Sequence, residues 1–213
     1  MKKECPLCSS SAKIFYEAKQ TYFQCNTCCG IFVDPAQLPS TKSEKARYEI
    51  HSDDTNDMGY RKFVSPLTSV IIRECNEKSL GLDFGAGASA IVSTILKESN
   101  YSIVNYDPYF HIYPELLTKK YDYISSCEVV EHFYTPYKEF TLLKNLLHPH
   151  AKIYIMTEPY HEGINFASWY YKNDPTHVFF YSKETFLWIK NEFNFTDVTI
   201  DGRLIIFENE RVF

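Results

Sequence analysis

Long apolar runs are absent from this sequence of 213 residues. No stretch approaches the ~20 apolar residues that a membrane-spanning helix needs. The first residues, Met1 to Pro6, lack the apolar segment of a signal peptide. Internal repeats and low-complexity segments are also lacking. We therefore expect a globular cytoplasmic protein that consists of one core domain and a small additional unit.

Positive charge is scarce as well. The 22 Lys and Arg residues are outnumbered by 27 Asp and Glu residues, which gives a formal net charge of −5. Non-specific nucleic-acid binding needs a basic surface, so this composition disfavours that function. Aromatic residues, in contrast, make up 16% of the chain. We expect some of them to line a site for a flat organic ligand.

Seven cysteines are present, and a cytoplasmic location favours metal ligands or free thiols over disulfides. Four of them form two C-x-x-C pairs separated by 16 residues, namely Cys5, Cys8, Cys25 and Cys28. This spacing is typical of a zinc ribbon with a tetrahedral Zn²⁺ site, whereas a redox C-x-x-C motif would not need two such pairs. Cys29 is an alternative ligand to Cys28. We predict a ribbon over residues 1–35, either as structural support or as a recognition module for an acceptor or partner.

The segment that follows is predicted to be a linker over residues 36–59 with one short helix. The pattern from Thr41 to Glu44 resembles a capping box, which predicts a helix from Thr41 to about His51. A second domain then extends over residues 60–213. It begins with a predicted helix from Tyr60 to about Glu77, and Pro66 is expected at the start of its regular part.

A strand, a glycine loop and a helix follow between Leu80 and Ser99. Gly85 and Gly87 permit positive φ angles and a close approach of a ligand to the backbone. Ser89 is expected to cap the helix. The next strand ends at Asp107, where an acid in dinucleotide-binding folds accepts hydrogen bonds from ribose hydroxyls, although Asp107-Pro108 is also a simple turn sequence.

The remaining sequence continues the alternation of strands and helices and therefore predicts a parallel sheet. The predicted strands cover residues 121–127 and 151–157, and the predicted helices cover residues 138–147 and 182–191. Two last strands, 195–200 and 203–207, flank Asp201-Gly202, a dipeptide typical of a type I′ hairpin. A long aromatic loop spans residues 158–180. Five of its residues either cover an acceptor pocket as a lid or pack on the sheet: Asn165, Phe166, Trp169, Tyr170 and Tyr171.

From residue 60 to 213 the chain resembles the class I S-adenosylmethionine (SAM)-dependent methyltransferases. The resemblance depends on the segment from Leu82 to Gly87, on Asp107, on Tyr121-Asp122, on the segment from Glu128 to His132 and on the terminal hairpin. The whole chain resembles bacterial methyltransferases with an N-terminal zinc ribbon. The resemblance implies an α/β, Rossmann-like methyltransferase sheet, mostly parallel with a C-terminal antiparallel hairpin. It also implies that SAM contacts Asp83, Gly85, Ala86, Gly87, Asp107, Tyr109, Phe110 and Glu128.

The segment from Glu128 to His132 is similar to the Glu-x-x-Glu-His motif of ubiquinone-pathway O-methyltransferases and small-RNA 2′-O-methyltransferases. In those families a divalent ion orients the acceptor oxygen, and a later histidine corresponds to His177. The resemblance implies a possible second metal site made of Glu128, Glu131, His132 and His177. Without a metal, Glu128 would hold the amino group of SAM and His132 would pack beside Phe133.

Three features depart from the family pattern, one of which is Pro149-His150-Ala151 in place of the Pro-Gly-Gly turn that is common before the fifth strand. Ser89 stands where a third glycine is usual, and only 14 residues separate Asp107 from Asp122. The usual helix and third strand hardly fit into that interval, so Tyr109, Phe110 or Ile112 is expected to supply the adenine contact instead.

The function that we predict is methyl transfer from SAM to an O or N atom, less readily a C atom, of a small organic acceptor. Histidine has a pKa suited to general-base catalysis, so His132 and His177, together with Glu131, are the candidate catalytic residues. One alternative is an RNA-modifying methyltransferase whose ribbon contacts RNA. A second is a non-catalytic zinc-ribbon adaptor with a degenerate SAM fold. The hairpin and the segment from Glu128 to His132 disfavour a nicotinamide-dependent oxidoreductase.

Overall fold

The protein is described here by a computed structural model that covers residues 2–50 and 54–210. The strands within these ranges are β1 (Lys3–Glu4), β2 (Ser11–Glu17), β3 (Thr21–Cys25), β4 (Ile31–Val33), β5 (Leu80–Phe84), β6 (Ser102–Tyr106), β7 (Tyr121–Cys127), β8 (Leu147–Met156), β9 (Phe179–Phe180), β10 (Asp197–Asp201) and β11 (Leu204–Glu208). The α-helices there are α1 (Thr41–Ile50), α2 (Met58–Glu74), α3 (Ile91–Glu98), α4 (Pro136–Asn145) and α5 (Lys183–Glu192). In the described part of the chain, no helix is long and apolar enough to cross a membrane.

The larger sheet has six strands in the order β10-β11-β8-β7-β5-β6. Strands β6, β5, β7 and β8 are parallel, whereas β11 is antiparallel to both β8 and β10. Apolar side chains of α2 and α3 cover one face of the sheet, and those of α4 and α5 cover the other. The predicted fold class, a mostly parallel methyltransferase sheet with an antiparallel hairpin, is confirmed.

The central strands read as continuous apolar runs because helices cover both faces. In β8, for example, all residues from Ile153 to Met156 are buried. The carboxyl ends of β5, β6, β7 and β8 meet at one edge of the sheet, which is where ligands bind in open α/β folds. The segments that follow these strands therefore converge on a single region.

The smaller sheet has the order β1-β2-β3-β4-β9, and all its pairs are antiparallel. Its first four strands come from the predicted ribbon, whereas β9 lies far along the chain. Ile31 pairs with Phe180, and Phe32 pairs with Phe179. The ribbon is thus joined to the remainder of the chain by a shared sheet.

Of the two alternatives for the aromatic loop before β9, a lid or packing on a sheet, the structure shows packing, on the ribbon sheet. Phe166, Trp169 and Tyr171 are buried with Tyr22 and Ile31 of the ribbon and do not line the large cavity described below. Burial of these large rings against the apolar ribbon face explains this packing, since each ring removes much apolar surface from water. The exposed Tyr170 instead donates a hydrogen bond to Glu158.

The start of α2 corrects another prediction. The helix begins at Met58, because the side chain of Asp57 accepts hydrogen bonds from the backbone of Gly59 and Tyr60. Pro66 therefore lies inside the helix rather than at the start of its regular part. The carbonyl of Lys62, which a proline nitrogen cannot bond, accepts the Ser65 hydroxyl at 2.8 Å.

The ends of α1 and α3 also differ from expectation. Ser40, not Thr41, accepts a backbone hydrogen bond at the start of α1, from Ser43 at 3.3 Å. The predicted end of this helix at His51 lies outside the described residues. Ser89 does not cap α3, which begins after Ala90 in a left-handed conformation with φ +47°.

The terminal hairpin has a different turn from the predicted type I′. Asp201 pairs with Leu204 as part of the strands, so the loop residues are Gly202 and Arg203. Only Gly202 has a positive φ, of +55°, which matches a type II′ turn.

Candidate active site

A cavity of about 750 Å³ lies beyond the carboxyl ends of the parallel strands. Its lining includes four segments that the sequence assigned to the site and residues of α1, which the sequence did not assign to it. They are the loop from Gly85 to Ser89, the loop from Asp107 to Phe110, the segment containing Glu128 and His132, the segment containing Asp174 and His177, and the α1 residues Thr41, Glu44, Arg47 and Tyr48. Most of the predicted site residues therefore meet in one place.

The glycine loop is held to the end of β6. The backbone nitrogens of Gly85 and Ala86 donate to the Tyr106 carbonyl at 2.8 and 3.1 Å. Gly85 has φ +77°, and a Cβ there would lie 2.5 Å from both methyl groups of Val129. Gly87 has φ +64° and open space where its Cβ would be. Glycine is required at the first position by space, and at the second it leaves the backbone accessible to a ligand.

Asp107 connects the two loops that the sequence assigned to the cofactor. Its Oδ1 accepts hydrogen bonds from the backbone of Tyr109 and Phe110, at 2.8 and 3.0 Å. Its Oδ2 accepts one from Gly87 at 3.0 Å. The carboxylate thus forms the turn expected of Asp-Pro and also lines the cavity. The interval up to Asp122 contains a 3₁₀ turn, Pro114–Thr118, in place of a further helix and strand.

Asp83 lies on the floor of the cavity and is fully buried. It accepts the Ser125 hydroxyl at 2.9 Å and the backbone N–H of Ser93 at 3.2 Å. Burial raises the pKa of this carboxyl to about 6 because the charged form loses hydration. The contact with Ser93 connects the end of β5 to α3.

Glu128 follows β7 with φ +52°, a conformation that is strained for a residue with a side chain. Its carboxylate lies 2.7 Å from the Arg203 guanidinium and 3.2 Å from the hydroxyl oxygen of Tyr171. Burial, and then the repulsion from Glu131, raise the pKa of Glu128 to about 8. Arg203 had no signal in the sequence, because it reaches the site from the distant β10–β11 turn.

His132 and His177 face the cavity with their rings 4.8 Å apart in an edge-to-face arrangement. The Nδ1 atom of His132 lies 2.9 Å from the Thr176 carbonyl, and that of His177 lies 2.7 Å from the Tyr171 carbonyl. A carbonyl only accepts, so the hydrogen-bond network assigns the proton to Nδ1 in both rings. Each Nε2 is left with its lone pair.

Both imidazoles are held neutral. Burial lowers the pKa of His132, and burial together with the neighbouring His132 lowers the pKa of His177 to about 3. Two neutral rings with unprotonated Nε2 atoms can accept protons or bind a metal ion.

Glu131 is fully buried beside the two histidines. Its Oε2 accepts the Thr157 hydroxyl at 3.1 Å, and its Oε1 accepts the Tyr171 hydroxyl. Burial raises the pKa of this carboxyl to about 7. Ligating atoms of Glu131, His132 and His177 all lie within 4.8 Å of one another, which is close enough to share a divalent ion. This group does not include Glu128, whose carboxylate is paired with Arg203.

Helix α1 forms a wall of the cavity that the sequence did not predict. The buried Glu44 accepts hydrogen bonds from three hydroxyls, those of Tyr48 at 3.0 Å, Tyr109 at 2.9 Å and Tyr134 at 3.4 Å. In the sequence, only the pattern from Thr41 to Glu44 drew attention to Glu44, and it indicated a helix cap rather than a cavity wall.

Two further contacts fix α1 to the histidine side of the cavity. Arg47 forms an ion pair of 2.9 Å with Asp174, three residues before His177. The ring of Tyr48 lies edge-to-face on His132, with 5.3 Å between the ring centroids.

The four predicted metal-binding cysteines converge in the ribbon. The Sγ atoms of Cys5 and Cys28 are 3.6 Å apart, those of Cys8 and Cys25 are 3.2 Å apart, and all four lie within 4.8 Å of one another. A tetrahedral Zn²⁺ with bonds of ~2.3 Å places its sulfur ligands about 3.8 Å apart, so the cluster has suitable dimensions. Cys29 is not a member of the cluster.

Residues 59–200 match the family described as methyltransferase domain. The chain belongs to this methyltransferase family. The predicted enzyme class, a SAM-dependent methyltransferase, is thereby confirmed. No protein of curated function matches the sequence.

Several solved structures share the fold at low sequence identity. A 1,6-didemethyltoxoflavin-N1-methyltransferase from Burkholderia thailandensis, solved with 1,6-didemethyltoxoflavin and S-adenosylhomocysteine, is 10% identical with a TM-score of 0.58, over 93% of this chain and 99% of that one. Magnesium protoporphyrin IX methyltransferase from Synechocystis PCC 6803, solved with SAH, is 15% identical with a TM-score of 0.51, over 81% and 95%. An O-methyltransferase family protein from Burkholderia thailandensis is 9% identical with a TM-score of 0.54 over 83% of this chain. The chain spans 65% of the length of that protein and 62% of PigF, another neighbour.

Proposed function

We propose that the protein transfers a methyl group from SAM to an oxygen or nitrogen atom of a small organic acceptor. The observation that carries this proposal is one cavity of about 750 Å³ with the glycine loop and Asp107 on one side and the unprotonated Nε2 atoms of His132 and His177 on the other. Cavities of this size hold ligands of drug-like dimensions.

The cofactor half of the cavity is assigned to the loops after β5 and β6. Gly85, Ala86 and Gly87 would hold the methionyl part, since the open space at Gly87 lets a ligand approach the backbone. Asp107 would accept hydrogen bonds from the ribose hydroxyls, because its Oδ2 has a single backbone donor and retains acceptor capacity. Tyr109 and Phe110 would flank the adenine, Glu128 would bind the amino group, and Asp83 would support the loop from below.

In the proposed mechanism the protein positions the reactants and accepts one proton. SAM supplies a methyl group that its sulfonium already activates, so positioning accounts for much of the rate. The Nε2 atom of His132 or His177 would accept the proton that the acceptor atom loses on methylation, while the electron pair of the broken carbon–sulfur bond would stay with the sulfur of the leaving S-adenosylhomocysteine. The Oε1 atom of Glu131 lies 4.0 Å from Nε2 of His177, so its carboxylate form would attract the positive charge that this proton brings.

A metal-assisted variant is the second candidate. Both histidines donate Nδ1–H to a backbone carbonyl, an arrangement that is typical of metal-bound histidines. With Glu131 they provide two imidazole nitrogens and one carboxylate oxygen, a set that suits Mn²⁺, Fe²⁺ or Zn²⁺. Calorimetric titration with Mn²⁺ and with Zn²⁺ tests this variant, because binding at this site must disappear in His177→Ala while the cysteine cluster is unchanged.

The ribbon is proposed to bind Zn²⁺ through Cys5, Cys8, Cys25 and Cys28. The backbone N–H groups of Thr27 and Cys28 point to the Cys25 sulfur at 3.3 and 3.5 Å, which supports a thiolate there. We assign residues 1–35 to the ribbon, 36–59 to the linker and 60–213 to the catalytic domain.

An uncharged or cationic acceptor is favoured over RNA by the charges around the cavity. Among the described residues of its lining, Arg47 is the only lysine or arginine, and it is already paired with Asp174. A phosphodiester would meet carboxylates such as Glu44 and no free cation there, which costs binding free energy.

The test is a screen for methyl transfer with SAM that carries a deuterated methyl group, offered phenols, catechols and primary amines as acceptors. We expect labelled product from at least one class, and its loss in His132→Ala and His177→Ala. The exposed Tyr170→Phe is a matched control that should retain activity. Transfer to short RNA oligonucleotides but to no small molecule would favour the RNA alternative, and unchanged turnover in both histidine variants would contradict the assigned base.

A further inference from the structure

We propose that the zinc ribbon positions His177 and Glu131, so that the ribbon acts as a built-in positioning module for the catalytic groups. This inference rests on the function proposed above, which makes those two residues catalytic. It concerns which part of the molecule determines where they lie.

The first contact is a chain of backbone hydrogen bonds through Val178, the residue after His177. The N–H of Val33, at the end of ribbon strand β4, donates to the Val178 carbonyl at 3.0 Å. The N–H of Val178 in turn donates to the Glu131 carbonyl at 2.9 Å. Val178 is therefore fixed between the ribbon on one side and the backbone of Glu131 on the other.

The second contact passes through Tyr171. Its carbonyl accepts Nδ1–H of His177 at 2.7 Å, and its hydroxyl donates to Glu131. The Tyr171 ring is buried in one cluster with Tyr22 and Ile31 of the ribbon. Both residues that orient His177, its chain neighbour and its hydrogen-bond partner, thus lie against the ribbon.

The third contact joins β9 to the metal-binding turn itself. Gly30 follows Cys28 by two residues, and its carbonyl accepts the N–H of Cys25 at 2.9 Å. A Cβ on Gly30 would lie 2.4 Å from the Phe179 ring. The turn that carries two of the cysteine ligands is therefore in direct contact with the strand that follows His177.

The cofactor half of the cavity has separate support. Gly85 and Ala86 are bonded to Tyr106, and Gly87 is bonded to Asp107, all within the larger sheet and its loops. A disturbance of the ribbon should therefore displace His177 while the SAM loops keep their structure. A change at His177 without a change in the SAM loops distinguishes positioning by the ribbon from a general loss of stability.

The experiment uses Gly30→Ala in the full chain with Zn²⁺ supplied. Gly163→Ala is the matched control, because the nearest neighbour of its added Cβ is the ring of the exposed His161 at 3.0 Å. The readout is the ¹⁵N spectrum of labelled histidine, in which the Nδ1–H tautomer of His177 is identified by its loss in His177→Gln. SAM affinity is measured by calorimetry on the same samples.

We expect Gly30→Ala to remove or split the single-tautomer signal of His177, while SAM affinity stays within about threefold of the unmodified chain. Gly163→Ala should change neither. Chelation of zinc should reproduce the Gly30→Ala spectrum, and addition of Zn²⁺ should restore the original one. An unchanged His177 signal in folded Gly30→Ala would overturn the inference.

A second variant covers the case in which Gly30→Ala does not fold. Phe179→Leu removes the ring in contact with Gly30, and we expect the same loss of the His177 tautomer signal. A His177 signal that stays intact in folded Phe179→Leu would overturn the inference. The histidine spectrum is recorded without SAM, so the two results are independent. Failure of the unmodified chain to bind SAM would contradict the proposed function and not the positioning by the ribbon.

Discussion

At this site, burial shifts the pKa values of individual side chains more than charge pairing does. His132 and His177 stay neutral because the charged imidazolium would lose hydration, while two backbone carbonyls fix the proton on Nδ1. Asp83 and Glu131 show the converse effect, because burial raises the pKa of each carboxyl. The same low-dielectric surroundings therefore lower the proton affinity of the imidazoles and raise that of the two carboxyls.

Asp83 gives a pH-dependent prediction at this scale. Its pKa is about 6 in the folded chain and 3.8 in a solvated carboxyl, so the folded state retains a proton between those values and loses relative stability as the pH rises through them. Asp83→Asn cannot ionise. We therefore expect its free energy of unfolding, relative to the unmodified chain, to increase by about 2–3 kcal/mol between pH 4 and pH 7. Urea unfolding across this pH range is the measurement, and a constant difference would contradict the assignment.

Gly85 gives a steric prediction. Gly85→Ala introduces a Cβ 2.5 Å from Val129 at φ +77°, so it should destabilise the fold and weaken SAM binding by at least tenfold, or ~1.4 kcal/mol. Gly202→Ala is the matched control, since Gly202 has φ +55° and no atom within 4 Å of the added Cβ. That control should cost about 1 kcal/mol of stability from backbone strain alone and leave SAM affinity unchanged. Equal SAM affinity in both variants would show that the Gly85 loop does not contact the cofactor.

At the scale of elements, local patterns predicted the central strands, the glycine loop and the terminal hairpin. Continuous apolar runs indicate strands that are buried on both faces, and a glycine-rich segment after such a strand indicates a ligand-binding loop. Features that depend on distant partners were not predictable in this way. Arg203 meets Glu128 only through the hairpin, β9 becomes a strand only beside β4, and α1 becomes a cavity wall only through contacts such as Arg47 with Asp174.

The wall formed by α1 can be tested through its ion pair. Arg47→Gln removes the charge that holds α1 to Asp174 beside the histidines. The pair is partly exposed, so the loss of stability should be below about 1 kcal/mol. We expect a larger effect on ligand affinity, because α1 is then held less firmly against the cavity. Calorimetry should show a severalfold weaker binding of SAM.

The control for this variant lies on the same helix. Lys45→Gln removes an exposed charge that lies 3.8 Å from Glu49, away from the cavity lining. It should bind SAM like the unmodified chain. Equal affinities in Arg47→Gln and Lys45→Gln would mean that the Arg47 ion pair does not hold the wall in place.

At the scale of the whole molecule, the ribbon and the catalytic part share a sheet and an aromatic cluster. Strand β9 completes the ribbon sheet, and Phe166, Trp169 and Tyr171 are buried against ribbon side chains. The sequence indicated two units but could not show this interface, because the C-x-x-C spacing describes only the cysteine cluster. The ribbon is therefore part of the packed structure and not an isolated appendage.

Zinc removal tests this connection. We expect chelation, or Cys25→Ser, to remove hydrogen-exchange protection from residues 3–33 and also from residues 166–180, because both depend on the same cluster. Protection in β5, β7 and β8 should persist. Loss that is confined to residues 3–33 would show that the aromatic loop folds without the ribbon, and full protection without metal would contradict the zinc assignment.

The most direct test of the central proposal is calorimetric titration of the full chain with SAM. We predict binding of one SAM per chain, and at least a tenfold weaker affinity, or ~1.4 kcal/mol, in Asp107→Ala, which removes the carboxylate that joins the two cofactor loops. Asp201→Ala in the terminal hairpin is the control and should bind like the unmodified chain. No binding of SAM at millimolar concentration by the folded protein, or equal affinity in Asp107→Ala, would contradict the assignment of this cavity as the cofactor site.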